Sequence, residues 1–496
     1  MRRSRPLDWV VFIVIPMVAG ALFWECSFCE QPAYSQPLPQ PPTSPTAGPT
    51  VQPLFTDLSD DEIRARGFRR DSPVARPGER ARIAQLDWNV VSNALHNITR
   101  VCLPVSSLSD CREFFPLSSS SYVPPFRGPT GTIPRLSWVG RLNGDASSEA
   151  VFIIRDGDQA ISGTVRYQGR IYEVNPVGRA VISIVEVNPS LYVPDKSPNR
   201  YGGSPSPNPV HPQTGKPMLP TPVPLQIQTG QKTKIDVMVV YTSAARIKVE
   251  ASCSGCLIQD KITEALVQAN ISLGTNSQQE FRLVYVIEEN YSQNSVNTDM
   301  SYLQGNADGF LDQVHQWRCA FTADVVSLWV EYDPPEPCGV AYGPMKWLGP
   351  GSWGYNYPDP ENWAFSVVRR NCAVNFLTFH HELGHVMGAD HDRQDVLMRM
   401  PPGSLLTGYG YGYIDWTHWK ATIMARPPSA GWLENLWSSP SQQFSTGSPA
   451  GTSVDDNRRV LNETATKVSS FSDRACPDTT SPDITPPDAP QNLRIR

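Results

Sequence analysis

The stretch "HHELGHVMGADHD", residues 380–392, constrains this chain more than any other. It holds four of the eight histidines within thirteen positions. On a helix, His381 and His385 stand four apart, so their imidazoles share one face about one turn from each other. Two neutral imidazoles so placed can hold one zinc ion at about 2.0–2.1 Å. Glu382 lies one residue round the helix and reaches a water on the metal rather than the metal itself. Gly388 can take positive φ without steric cost, end the helix and turn the chain sharply. That turn can bring His391 back as a third ligand, leaving a position open for water, which is the catalytic arrangement of zinc rather than the structural one. Asp392 is expected to accept a hydrogen bond and stiffen the loop carrying His391. His380 is about 100° round the helix from His381 and reads as a supporting or surface residue, not a ligand. His96, His211 and His315 read as ordinary surface or core histidines. The pattern HExxHxxGxxHD fixes six positions, and a chance match in a chain of this length is on the order of one in a million.

Composition narrows the setting. A net charge of −6 offers no basic face for nucleic acid and no polybasic membrane patch. Arg2, Arg3 and Arg5 precede the apolar run "WVVFIVIPMVAGALFW", and Ala33 and Ser35 supply small residues before Gln36. This reads as a cleaved export signal, with an uncleaved anchor as the alternative. Cys102, Cys111, Cys253, Cys256, Cys319, Cys338, Cys372 and Cys476 form an even set beyond that signal, which in an oxidising compartment implies disulfides whose pairing spacing does not determine. "CSGC" reads as a local disulfide, having no second CxxC beside it.

Pro-rich stretches divide the chain. Residues 36–86 read as a linker and lead-in, and 197–232 as a second linker, because neither buries enough apolar surface to fold alone. Between them, residues 87–196 read as β-rich, with turn pairs at Asp156-Gly157 and Gln168-Gly169. From 233 to 476 the pattern becomes strand, helix, strand, helix, strand: "KIDVMVVYT", "QDKITEALVQANISLG", "FRLVYVIEE", "FLDQVHQW" and "ADVVSLWV". This is an α/β (α+β) order. Ile262, Leu266, Ala269 and Leu273 mark the buried stripe of the first helix. Val460, Thr464, Val468 and Phe471 predict a closing C-terminal helix. The tail, 477–496, ends in "PPDAPQNLRI", which resembles the opening strand of a fibronectin type III domain.

HExxHxxGxxHD resembles the zinc motif of the metzincin metalloproteases, and the aspartate after the third histidine is similar to the reprolysin (adamalysin) branch. Metzincins carry a methionine turn beneath the metal, and "KATIMAR", with Met424, resembles it. "IDVMVVYTSAAR", "CGVAYG", "YGYGYIDW" and "DDNRRVLNETATKVSSF" resemble bacterial secreted reprolysin-like proteases, in particular the peptidyl-Asp metalloendopeptidase family, from Lys234 to Asp473. The resemblance implies a twisted mixed sheet with a zinc-bearing active-site helix, preceded by a β-rich prodomain. It implies a secreted, monomeric zinc endopeptidase acting on protein or peptide substrates, without nucleic acid and without stable membrane insertion after signal cleavage. His381, His385 and His391 would bind Zn2+, Glu382 would be the general base, and Met424 would support the histidines without binding. Family members often read "TIMAY"; Arg426 replaces that tyrosine, which removes a tyrosine ligand there. Arg426 is expected near the wall of the S1′ pocket, favouring acidic P1′ side chains. For latency, a Cys102 or Cys111 thiolate or the Asp145 carboxylate of "NGD" could cap the metal, against the simpler readings of a Cys102–Cys111 disulfide and a β-turn. The rival function is a catalytically inactive secreted adhesin on the same scaffold. The intact Glu382 and three histidines count against it, as the extended motif does against a zinc hydrolase of non-peptide substrates.

Overall fold

The computed structural model describes residues 53–75, 77–97, 101–104, 111–120, 135–142, 145–194, 232–274, 277–349, 351–400, 406 and 408–476. The export signal, the Pro-rich segment 197–231 and the tail 477–496 lie outside the described residues.

The β-rich reading of the first half corresponds to a nine-stranded antiparallel sheet. Its strands are β1 (Phe55–Asp57), β2 (Arg82–Leu86), β3 (Val101–Pro104), β4 (Cys111–Ser120), β5 (Leu136–Leu142), β6 (Asp145–Arg155), β7 (Ala160–Tyr167), β8 (Arg170–Gly178) and β9 (Val181–Glu186). They run in the order β1-β2-β9-β8-β7-β6-β5-β4-β3. Gln168 and Gly169 both take positive φ, 51° and 73°, as the tight hairpin between β7 and β8 requires. Side chains alternate across the sheet. Ala150, Phe152, Ile154, Val165 and Val174 join one apolar cluster on one face. The structure corrects the expected lead-in: β1 and β2 belong to this sheet, β2 pairing with β9. Phe55, Ile83 and Leu86 are buried there. Their apolar runs are too short, and too close to prolines and charges, to show a strand period.

The second half is a mixed α/β domain. β10 (Thr233–Thr242), β11 (Gln279–Glu289), β12 (Val325–Val330), β13 (Gly339–Ala341) and β14 (Phe365–Arg369) form a sheet in the order β11-β10-β12-β14-β13. All pairs are parallel except β13 with β14. The continuous apolar run of β10 follows from burial on both faces. Ile235, Val237, Val239 and Tyr241 pack on one side, and Met238 and Val240 on the other. Against the first face lie α1 (Ile258–Leu273), α2 (Thr378–Val386) and α4 (Asn457–Val468), with the short α3 (Arg393–Arg399) following α2. The expected stripe of α1 is buried, and so are its polar Asp260, Lys261, Glu264 and Gln268. Asp456 caps α4, which ends at Val468, so Phe471 begins a separate short helix. Thr464 of α4 donates to Met387 O at 2.8 Å, fastening the last helix to the end of α2.

Disulfides join Cys253 to Cys256, Cys319 to Cys476, and Cys338 to Cys372. The Cys319–Cys476 bridge closes 157 residues of separation, pinning the C-terminal end to the helix before β12. Replacing both cysteines by serine is expected to cost about 2–5 kcal/mol, chiefly by freeing the unfolded chain. The unfolding free energy from urea titration, with the slope fitted for each protein, measures it, and the slope is expected to rise when the bridge is removed.

Candidate metal centre

α2 begins after Leu377, which holds a left-handed φ of 61°, and stops at Gly388, with φ of 100°. The turn at Gly388 returns the chain so that Asp390–Asp392 pair with Tyr411–Gly412. This brings His391 back to α2. The three imidazoles meet with ring centroids 4.7–5.2 Å apart. His391 Nε2 lies 3.2 Å from His381 Nε2 and 3.0 Å from His385 Nε2. All three side chains are buried.

What these rings can bind is decided by their other nitrogens. His381 Nδ1 lies 2.7 Å from Ile423 O, His385 Nδ1 3.0 Å from Ala389 O, and His391 Nδ1 2.8 Å from Asp395 Oδ2. These three oxygens only accept, so each Nδ1 donates and each Nε2 of a neutral ring carries a lone pair; the Arg399 guanidinium, 3.2 Å from His391 Nδ1, is held more closely by the Asp395 carboxylate at 2.6 Å. Three buried lone pairs aimed at one point repel one another unless a cation sits between them. The donor set therefore fits a divalent metal. Among the described residues these three histidines are the single group of this kind.

Glycines shape the walls. Glu382 is fully buried. A β-carbon at Gly339 of β13 would lie 2.4 Å from Glu382 Oε1, so only glycine leaves room for the carboxylate. A β-carbon at Gly384 would lie 2.6 Å from Met424 Sδ and 2.7 Å from the Trp437 ring. Met424 thus packs directly beneath α2, and its neighbour Ile423 supplies the carbonyl that orients His381.

Asp392 and Asp395 brace the returning loop. Asp392 accepts from Asp395 N at 3.0 Å, capping α3, and from Arg426 N at 3.1 Å, tying His391's loop to the methionine turn. Asp395 is absent from the sequence reading; its position four after His391 spans a loop and a new helix, so no single periodicity points to it. Arg399 Nη2 lies 2.6 Å from its Oδ2, and Arg426 Nη1 2.8 Å from its Oδ1. Burial alone would raise this carboxyl, but the His391 hydrogen bond and the nearby guanidiniums hold it at about 2.

The Arg426 guanidinium is paired through Nη1 with Asp395, which orients a triad histidine. His380 is buried, not a surface residue, with Nε2 donating to Asn435 Oδ1 at 3.0 Å. Burial pushes its pKa down to about 3, so it is neutral. Two of the side chains named as possible caps have other partners. Cys102 lies in β3 and is disulfide-bonded, and Asp145 accepts from Ser148 N in a local turn. The side chain of Cys111 lies outside the described residues. No helix among the described residues is long and apolar enough to cross a membrane.

Three imidazole lone pairs beside a buried carboxylate, in a mixed α/β domain, define a metalloenzyme. Residues 231–414 match Reprolysin_5, described as Metallo-peptidase family M12. The chain is 28% identical over 366 residues to the peptidyl-Asp metalloendopeptidase of Stenotrophomonas maltophilia (strain K279a), covering 72% of this chain and 78% of that one. It is 27% identical over 334 residues to that of Xanthomonas campestris pv. campestris, covering 66% and 72%. A peptidyl-Asp metalloendopeptidase of Pseudomonas fragi is 30% identical over 102 residues, 20% of this chain and 62% of that one. These matches support a reprolysin-like metzincin protease; the chain is a metalloprotease, and the M12 family matched by residues 231–414 implies a catalytic metal and protein or peptide substrates.

Replacing Asp395 by alanine frees His391 Nδ1 and removes the shared anchor of Arg399 and Arg426. Metal affinity, measured by chelator competition, is expected to fall about 10–100-fold, the usual effect of losing a carboxylate behind a ligand histidine.

Proposed function

We propose that this chain is an exported zinc metalloendopeptidase in which His381, His385 and His391 hold the metal and Glu382 is the general base. The observation that carries the reading is the convergence of three Nε2 lone pairs, each fixed by an acceptor on Nδ1. Zinc, when bound, supplies Lewis acidity at the scissile carbonyl and lowers the pKa of a bound water towards about 7. Glu382 takes a proton from the attacking water and returns it to the leaving amine. Met424 and Gly384 set the height of α2 over the turn, and Gly388 and Asp392 hold the loop that delivers His391. The segment ahead of β10 acts as a propeptide domain, and the first 35 residues direct export.

The relatives are named for cleavage at aspartate, which supports an acidic preference at the scissile bond. Arg426 is the residue through which the sequence assigns that preference at P1′, although its Nη1 is already engaged by Asp395. Profiling peptide cleavage by Arg426→Ala separates the two roles. A lost acidic preference assigns Arg426 to substrate; an unchanged preference with weakened metal retention assigns it to Asp395 alone.

The purified exported protein is expected to carry one zinc per chain by elemental analysis. Glu382→Gln is expected to retain that zinc and to lose casein hydrolysis by about 10²–10⁴-fold, the scale of general acid–base catalysis. A Glu382→Gln protein that still cleaves casein at the wild-type rate would remove Glu382 from the chemistry.

A further inference from the structure

The second face of the nine-stranded sheet carries Glu149, Arg155, Thr164, Arg166, Glu173 and Asn175, alternating with the apolar face along β6, β7 and β8. Such a polar face is normally wet. Here each of these residues is at most 7% exposed. The mixed α/β domain covers them, and the polar side of α1 meets them. Arg155 Nε lies 3.1 Å from Asp260 Oδ2, and Lys261 Nζ 2.9 Å from Glu173 Oε1.

Two contacts from this face go further than α1. Arg166 Nη2 donates to Val374 O at 3.0 Å and Asn375 O at 2.8 Å, two carbonyls just ahead of Leu377, where α2 begins. The start of α2 has no side-chain cap, so its entry angle depends on what holds these residues. Asn435 Nδ2 donates to Glu149 Oε1 at 3.0 Å, while Asn435 Oδ1 accepts from His380 Nε2. His380 adjoins His381. The sheet thus grips the entry of α2 directly, by hydrogen bonds to backbone, and reaches the residue next to a triad histidine through Asn435.

We infer that the N-terminal β-domain positions the metal helix, with Arg166 and Glu149 as the positioning residues. A metal site needs its ligands held to within about 0.5 Å, and groups behind the ligands set that precision. Arg166 is suited to the task because one nitrogen of its planar fork, Nη2, carries two N–H groups, one for each carbonyl. Buried carbonyls robbed of it would be left without their donor or would draw water in and loosen the turn. The domain then acts as a support for the triad, a role distinct from plugging it, and one that persists for as long as the sheet stays docked. This inference rests on the metal-site reading above.

The test uses the full chain. Arg166→Met with Glu149→Met removes both contacts while keeping bulk. Lys261→Met with Glu173→Gln removes an ion pair of the same interface that does not touch α2. The first double variant is expected to lower zinc affinity about tenfold by chelator competition. It should also quicken hydrogen exchange over residues 374–386 in the metal-free protein. The second is expected to retain wild-type zinc affinity and exchange over that segment. Arg166→Lys keeps the charge without the fork and is expected to move both readouts in the same direction, should the methionine variant fail to fold. Wild-type zinc affinity and exchange in the folded variants would overturn the inference alone. A wild-type chain that retains no zinc would overturn the metal-site reading itself, and this inference with it.

Discussion

The hydrogen bonds to three imidazole Nδ1 atoms are the constraint on which the rest of this structure depends. They come from three separate places: the carbonyl of Ile423 on the methionine turn, the carbonyl of Ala389 just past α2, and the carboxylate of Asp395 on α3. Each fixes a tautomer, and together they force three lone pairs onto one point. A free imidazole can turn and exchange tautomers. These cannot without breaking the turn, the loop or the helix that holds them. The triad is therefore a property of some fifty residues of folded chain, and α2 supplies only two of its rings.

Small residues make that assembly possible at close quarters. Gly384 lets Met424 and Trp437 press against α2, and Gly339 admits the Glu382 carboxylate beside the edge strand β13. Both contacts are shorter than any side chain could tolerate. Gly388 works differently, through its positive φ. Three glycines thus have three distinct tasks: one below the helix, one beside the carboxylate, and one at the turn.

The parts legible in the sequence are those whose meaning is local. The spacing of His381 and His385 is helix geometry, the glycine after them marks a turn, and the long apolar run of β10 announces burial on both faces. Met424 and Asp392 were nameable through the resemblance of the motif. Asp395 was not, because its bond to His391 crosses from a loop into a new helix. Arg426 was placed by the resemblance of its neighbours, and only the folded chain shows its Nη1 on Asp395. The lead-in residues 55–86 hide their strands among prolines and charges. The burial of Glu149, Arg155, Arg166 and Glu173 on the second face of β6–β8 is not legible at all, because no pattern within one strand can say that another domain will cover it.

That buried polar face also bears on how the two halves were selected to meet. An apolar face would join them more tightly but would leave an aggregation-prone patch on either half wherever they part. A charged face stays soluble when exposed, and adds little net stability when paired, since desolvation offsets most of the attraction. What it adds is specificity. Glu264, fully buried on α1 and pushed by burial up to about 7, sits beside Lys261, which Glu173 of the sheet also holds. A shift of one residue in register would strand these groups without partners, at a cost far above the gain from correct pairing. The interface therefore tolerates one docking arrangement, and in that arrangement Arg166 reaches the two carbonyls ahead of the metal helix. An apolar contact of equal area could slide by a few ångströms with little penalty and would transmit no such precision to the histidines.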